Sequence, residues 1–183
     1  MTRLGAPPLK DSAAFSRVFE HYHLSVFRFI YGISGASLRE VEDLTAETFI
    51  RAWKARSNFY GDEQAAHGWL ITIARHLVID AARRKKVRKD EQLVAEIDEW
   101  QPLTPHPSSE NPETRVIIRE QYSILVNLLS TLPAEQREMI VLRYILGWQV
   151  KQIASHLAIT VNTTSVNIRR TLEKLRHNWP DGK

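Results

Sequence analysis

Apolar residues recur at steps of three and four from Phe15 through Val18, Phe19, Tyr22, Val26 and Phe27 to Ile30, which is the period of a helix with one buried face. The pattern predicts an amphipathic helix over Asp11 to Tyr31, with Ser12 as its N-cap after a loose Pro7-Pro8 tail and a break across Gly32 to Ser37. A second helix is expected from about Leu38 to Arg56. Val41, Leu44, Phe49, Thr48 and Ala52 turn to one side of it, and Glu40, Asp43, Glu47, Ile50 and Lys54 to the other. Ser57-Asn58 and Gly61 stop it. A third helix runs from about Gln64 to Val87, with Trp69, Leu70, Ile73, Ala74, Leu77, Val78 and Ala81 at core spacing. The run Arg83 to Lys89 then carries six cations in seven residues, so the core ends where the charge starts.

Between Asp90 and Glu113 the composition changes. There is no Lys or Arg, seven carboxylates appear, and prolines stand at 102, 105, 107 and 112. A stretch of this length and kind is a linker between domains rather than a loop inside one. Beyond it four more helical patterns are predicted: Val116 to Leu132, Ala134 to Leu146, Gln149 to Leu157 and Thr160 to His177, punctuated by Pro133, Gly147 and Ile159-Thr160. No segment reads as a strand. The expected fold is all-α: two small helical domains, residues 11–89 and 114–178, joined by an acidic, Pro-containing linker over 90–113.

Composition narrows the function. Among 183 residues, 25 Lys and Arg stand against 21 Asp and Glu, a formal charge of +4, and the pI near 9.5 leans toward a polyanionic partner. With no cysteine, disulfides, thiolate nucleophiles and zinc fingers are excluded. No stretch approaches the roughly 20 apolar residues that span a bilayer, and Met1 to Lys10 has no apolar signal core, so a cytoplasmic protein without membrane insertion is expected. No phosphate-cradling Gly loop or nucleophile elbow occurs, and Asp43 and Glu47 have no partner base, so neither an enzyme nor a cofactor is expected. His21 and His23, two apart on a helix, point in different directions and do not form a metal site.

Trp148 to Val161 has the form of a helix-turn-helix. Ile153, Ala154, Leu157, Ile159 and Val161 fall where inward contacts are needed, and small Ala154 lets the two helices approach. A recognition helix capped by Thr160 turns Val161, Thr164, Ile168, Leu172 and Leu175 inward. Thr163, Val166, Asn167, Arg170 and Lys174 then face outward. Thr163 and Asn167 offer hydrogen bonds to base edges, Val166 offers contact with a thymine methyl, and Arg169, Arg170, Lys174 and Arg176 suit phosphate or guanine. Ala158 occupies the turn position where Gly commonly takes the left-handed conformation, at a cost of about 1–2 kcal/mol for an L-residue.

Leu132-Pro133-Ala134-Glu135-Gln136-Arg137-Glu138, followed by Ile140 to Tyr144 and the helix-turn-helix, resembles domain four of extracytoplasmic-function (ECF) sigma factors. Asp43 to Trp53, Trp69 to Arg75 and Asp80 before the Arg cluster resemble their domain two. The two matches cover about three quarters of the chain in the family's order. The resemblance implies a sigma factor that binds core RNA polymerase, at the beta-prime clamp and the beta flap, and directs initiation at promoter DNA. It assigns polymerase binding to Asp43, Glu47, Ile50, Arg51 and Lys54. Minus-10 recognition and melting fall to Arg56, Asn58, Phe59, His67, Arg75, His76, Arg83 and Arg84. Minus-35 recognition falls to Thr160, Asn162, Thr163, Val166, Asn167, Arg169, Arg170 and Lys174. An anti-sigma factor is implied as a further partner. His76 stands where the family often has Asn, and Thr164-Ser165-Val166-Asn167 stand where it often has Val-Lys-Ser-Arg, so two cations are missing from the recognition helix. Two rival readings are a dimeric helix-turn-helix repressor, which leaves Asp43 to Trp53 and the third helix unexplained, and a regulatory protein that binds polymerase or a sigma factor but not DNA.

Overall fold

The computed structural model describes residue 9 and residues 11–91, 125 and 127–178, and every regular element among them is helical. Of the stretch 90–113 expected as a linker, residues 92–113 lie outside the described residues, as does most of the helix expected from Val116. The chain divides into two compact units, Met1–Ile30 with Arg39–Ile97, and Tyr31–Leu38 with Asp98–Lys183.

The first unit is built on three helices. Helix α1 spans Ser12–Ser34. Its cap is Asp11 rather than Ser12: the Asp11 carboxylate accepts from the Ala13 amide at 3.1 Å, satisfying a donor that the first turn leaves unpaired. The helix also runs through Gly32, against expectation, and ends where Gly35 takes φ +61°, the left-handed turn that only Gly adopts without strain. Helix α2 spans Leu38–Ala55, and its buried residues are Val41, Leu44, Thr48, Phe49 and Ala52, the face read from the sequence. Buried Thr48 donates to the Leu44 carbonyl at 2.7 Å, which removes the cost of enclosing a hydroxyl.

Helix α3 spans Glu63–Glu91, continuing past the expected end at Val87. Asp62 caps it, accepting from the Ala65 amide at 2.8 Å. Leu70, Ala74, Leu77 and Val78 are buried as expected, together with Ala66 and Ile71, while Trp69, Ile73 and Ala81 are only half buried. Each of the larger apolar side chains enclosed here contributes about 1.5–3 kcal/mol of burial. From Ala82 to Val87 the side chains are exposed.

In the second unit a helical turn over residues 127–130 leads to helix α4, Ala134–Ile140, which continues as a π-helical turn, Val141–Ile145. Arg137 reaches back to close the preceding turn, donating to the carbonyls of Ser130 at 3.0 Å and Leu132 at 3.1 Å. After Gly147, at φ +71°, come α5, Val150–His156, and α6, Val161–His177. Gln152 Oε1 accepts from the Gln149 amide at 2.8 Å and secures the start of α5. The core is Leu128, Leu129, Leu132, Met139, Ile140, Val141, Leu142, Trp148, Ile153, Ala154 and Ile168, with Thr164 and Thr171 enclosed as well. Two expectations fail on α6. Val161 is 49% exposed, and Thr171 takes a buried place instead. Val161 is the first helical residue, ahead of the stretch where α6 packs on its neighbours. Thr171 is tolerated inside because its hydroxyl donates to the Asn167 carbonyl at 2.7 Å.

Candidate polymerase and nucleic-acid surfaces

The outward face of α2 presents Asp43, Glu47, Ile50, Arg51 and Lys54. Ile50 is 47% exposed, an apolar side chain set among charges. Glu47 and Arg51 are paired at 2.8 Å one turn apart, with both side chains more than 40% exposed, so they hold each other's orientation and add little stability. Trp53 is also partly exposed, at 37%, and rests edge-on against Phe15 of α1 with ring centroids 5.1 Å apart.

Next along the chain, the turn Arg56–Asn58 and the residues to Asp62 form the loop between α2 and α3. The Arg56 guanidinium lies 3.5 Å above the Trp53 ring, and its Nη1 donates to the Trp53 carbonyl, a cation–π arrangement that fixes the charge at the helix end. Asn58 is exposed. Phe59 is 8% exposed and stacks on Trp69, centroids 4.8 Å apart, so it is a core plug of the loop. Tyr60, by contrast, is 77% exposed. Gly61 leaves no room for a side chain: an added Cβ falls 2.7 Å from the Ala65 Cβ and 3.0 Å from the Phe59 ring.

His67 is half buried. Its ring stacks on Tyr22, centroids 4.6 Å apart and planes 8° from parallel, and its Nε2 shares a 2.8 Å hydrogen bond with Ser25 Oγ. Burial, helped by the nearby charge of His21, lowers its pKa from 6.5 to about 4, so it is neutral at physiological pH. On α3, His76 and Arg83 lie seven residues apart on one face, both exposed, with Arg84 exposed beside them and Arg75 half buried. Asp80 sits 3.9 Å from Arg83, and Lys85 is bound to Glu40 of α2 at 2.7 Å. Among the described side chains of this run, Arg84 and Lys86 have no carboxylate partner.

In the second unit, Thr160 caps α6: its Oγ1 accepts from the Thr163 amide at 3.1 Å and pairs with the Thr163 hydroxyl at 2.8 Å. Ala158 has φ +55°, the left-handed turn expected of it. Asn162, Thr163, Arg169, Arg170 and Lys174 are exposed, and Val166 and Asn167 half buried. Glu173 is exposed with them. Sequence reasoning passed over Trp53 as the platform for Arg56, Ser25 as the partner of His67, and Glu173 on the recognition helix. The first leaves a trace in the three-residue spacing at a helix end; the second has none, because Ser25 and His67 are distant in sequence.

Comparison with known proteins identifies the family. The model of Sigma-70 region 2 matches residues 18–88, and that of Sigma-70 region 4 matches residues 122–175. The ECF RNA polymerase sigma factor SigW of Bacillus subtilis is 31% identical over 175 residues, covering 93% of this chain and 91% of that protein. The chain belongs to the ECF sigma factors. SigL of Mycobacterium tuberculosis, 26% identical over 96% of this sigma factor and 94% of its own length, agrees. In fold this sigma factor is similar to RpoE of Bartonella quintana, solved with the anti-sigma factor NepR, at a TM-score of 0.68 and 20% identity over 89% and 94% of the two chains. It is similar also to CnrH, solved with the cytosolic domain of CnrY, at 0.64 and 20% over 91% and 88%. The first described unit thus carries the region 2 match, and the helix-turn-helix of this sigma factor is the DNA-binding part of region 4. No helix among the described residues is long and apolar enough to cross a membrane.

Proposed function

We propose that this ECF sigma factor docks on core RNA polymerase through the outward face of α2 and brings two DNA-reading surfaces to one promoter. The observation that carries the proposal is Ile50, 47% exposed and rimmed by Asp43, Glu47 and Lys54 on a helix whose opposite face is closed into the core. An apolar anchor in a charged rim is the anatomy of a protein interface. The beta-prime clamp is its partner there, and the second unit meets the beta flap.

The loop from Arg56 to Asp62 and the α3 stripe then serve the minus-10 element. Arg83 and Arg84 attract the phosphates, and His76 and Arg75 contact the duplex edge. Tyr60, exposed on a loop whose base is plugged by Phe59, offers a ring to an extruded base. Stacking is worth about 1–3 kcal/mol per base, comparable with the few kcal/mol that extrusion costs. His67 supports this loop from behind, neutral and tied to α1. Helix α6 reads the minus-35 element. Each unit alone binds DNA weakly, and their joint placement on polymerase makes the promoter pair specific.

The protein acts as a regulatory, non-catalytic subunit in the cytoplasm and needs no cofactor. An anti-sigma factor holding it inactive is supported by the company its structural relatives keep, RpoE with NepR and CnrH with CnrY. Binding of purified core polymerase to wild type and to Ile50→Glu tests the docking proposal: wild type forms the holoenzyme, and the variant does so at least tenfold more weakly.

A further inference from the structure

The outward face of α6 is narrower than its list of polar residues suggests. At about 100° per residue, Asn162, Val166 and Arg169 fall within about 60° of one another, opposite the buried side formed by Thr164, Ile168 and Thr171. Thr163 lies outside this stripe and is already engaged, its amide and hydroxyl both on Thr160. Asn167 lies farther round, half buried on the inward flank. Asn162 and Arg169 are exposed, and their side chains have no hydrogen-bond or ion-pair partner among the described residues. One turn beyond Arg169 the stripe meets exposed Glu173. A carboxylate there faces phosphate unfavourably, which marks where the helix leaves the groove.

The first two turns of the stripe therefore carry an amide and an aliphatic side chain, and the first cation enters at Arg169. Asn pairs in bidentate fashion with adenine N6 and N7, an aliphatic group packs on the thymine methyl, and Arg takes guanine O6 and N7. Resting on the proposal that α6 reads the minus-35 element, we infer that this sigma factor selects an A·T-biased element, with Asn162 reading adenine, Val166 reading a thymine methyl and Arg169 reading one flanking guanine. Asn162 and Arg169 are about 10 Å apart along the helix, so the three reads fall within a window of about four base pairs. Ser165 and Arg170 flank the stripe and meet the backbone on either side.

The test starts from promoters that the holoenzyme transcribes out of genomic fragments, randomises the minus-35 window, and sequences the transcribed population for wild type and for Asn162→Ala, Val166→Ala and Arg169→Ala. Wild type enriches two A·T pairs and one G·C pair. Each variant relaxes a single position about tenfold, adenine for Asn162→Ala, thymine for Val166→Ala and guanine for Arg169→Ala. Promoters found but with G·C pairs at the Asn162 and Val166 positions, or variants that weaken every sequence equally, overturn the inference while leaving the initiation role standing. Absence of any promoter-specific transcript from the wild-type holoenzyme overturns the initiation role itself, and the inference with it.

Discussion

His67 stacks on Tyr22 with planes 8° from parallel while its Nε2 shares a 2.8 Å hydrogen bond with Ser25, so the start of α3 is pinned to α1 by a ring that is kept uncharged. The pKa of His67 falls to about 4 in the folded protein, against 6.5 in the open chain. The unfolded state therefore binds the proton more readily, and acid favours unfolding. Stability from this group is fully present above pH 6.5 and is lost as pH falls from there through about 4. After discounting for solvent screening of a partly exposed group, the loss is about 1–2 kcal/mol. Urea unfolding of wild type at pH 7 and pH 5 shows this loss, and His67→Phe, which keeps a ring on Tyr22, flattens it.

Ala158 sits at φ +55° in the turn of the helix-turn-helix. Replacing it with Gly removes a strain of about 1–2 kcal/mol and returns part of it as chain entropy. Ala158→Gly raises the stability of the second unit by about 0.5–1 kcal/mol, read as a shift in its urea midpoint.

Glu173 faces outward from α6 beside Arg169, Arg170 and Lys174. Removing its charge favours phosphate contact without altering base reading. Glu173→Gln increases affinity for any duplex about threefold at low salt, and the gain shrinks as salt rises. Fluorescence anisotropy with promoter and scrambled DNA checks both parts.

At Gly61 an added Cβ comes within 2.7 Å of Ala65 and 3.0 Å of the Phe59 ring. Gly61→Ala displaces Phe59 from Trp69 or shifts the start of α3, at a cost of about 1–3 kcal/mol. Thermal unfolding measures the cost, and promoter opening detected by permanganate footprinting falls with it.

Much of this was legible in the sequence because helical period and capping are local. The buried face of α2 follows from spacing and the Thr160 cap from residue type at a helix start, while the helix-turn-helix pattern marks Ala158 as the residue at the left-handed turn position. The misses come from contacts at a distance or from alternative ways to satisfy one need. Asp11 and Ser12 are both good caps, and only the backbone path decides between them. Gly32 is tolerated within α1, so the break falls at Gly35, where the turn needs a positive φ. Thr171 reads as polar in a linear pattern yet is buried, since its hydroxyl is satisfied within its own helix. Phe59 and Tyr60 are adjacent aromatics with opposite fates, one in the core and one in solvent, and no periodicity separates them in a loop. His67 had the chemistry of a DNA ligand in sequence, whereas its place between Tyr22 and Ser25 gives it a supporting role.

In the proposed role, α2 docks polymerase while the basic and helix-turn-helix surfaces read the promoter. Run-off transcription with core polymerase on genomic fragments separates the two roles, comparing wild type with Ile50→Glu and Arg170→Ala. Wild type gives promoter-specific transcripts that both variants lose, Ile50→Glu with loss of core binding and Arg170→Ala with core binding retained. Wild-type transcription no different from that of core polymerase alone would contradict the proposed role.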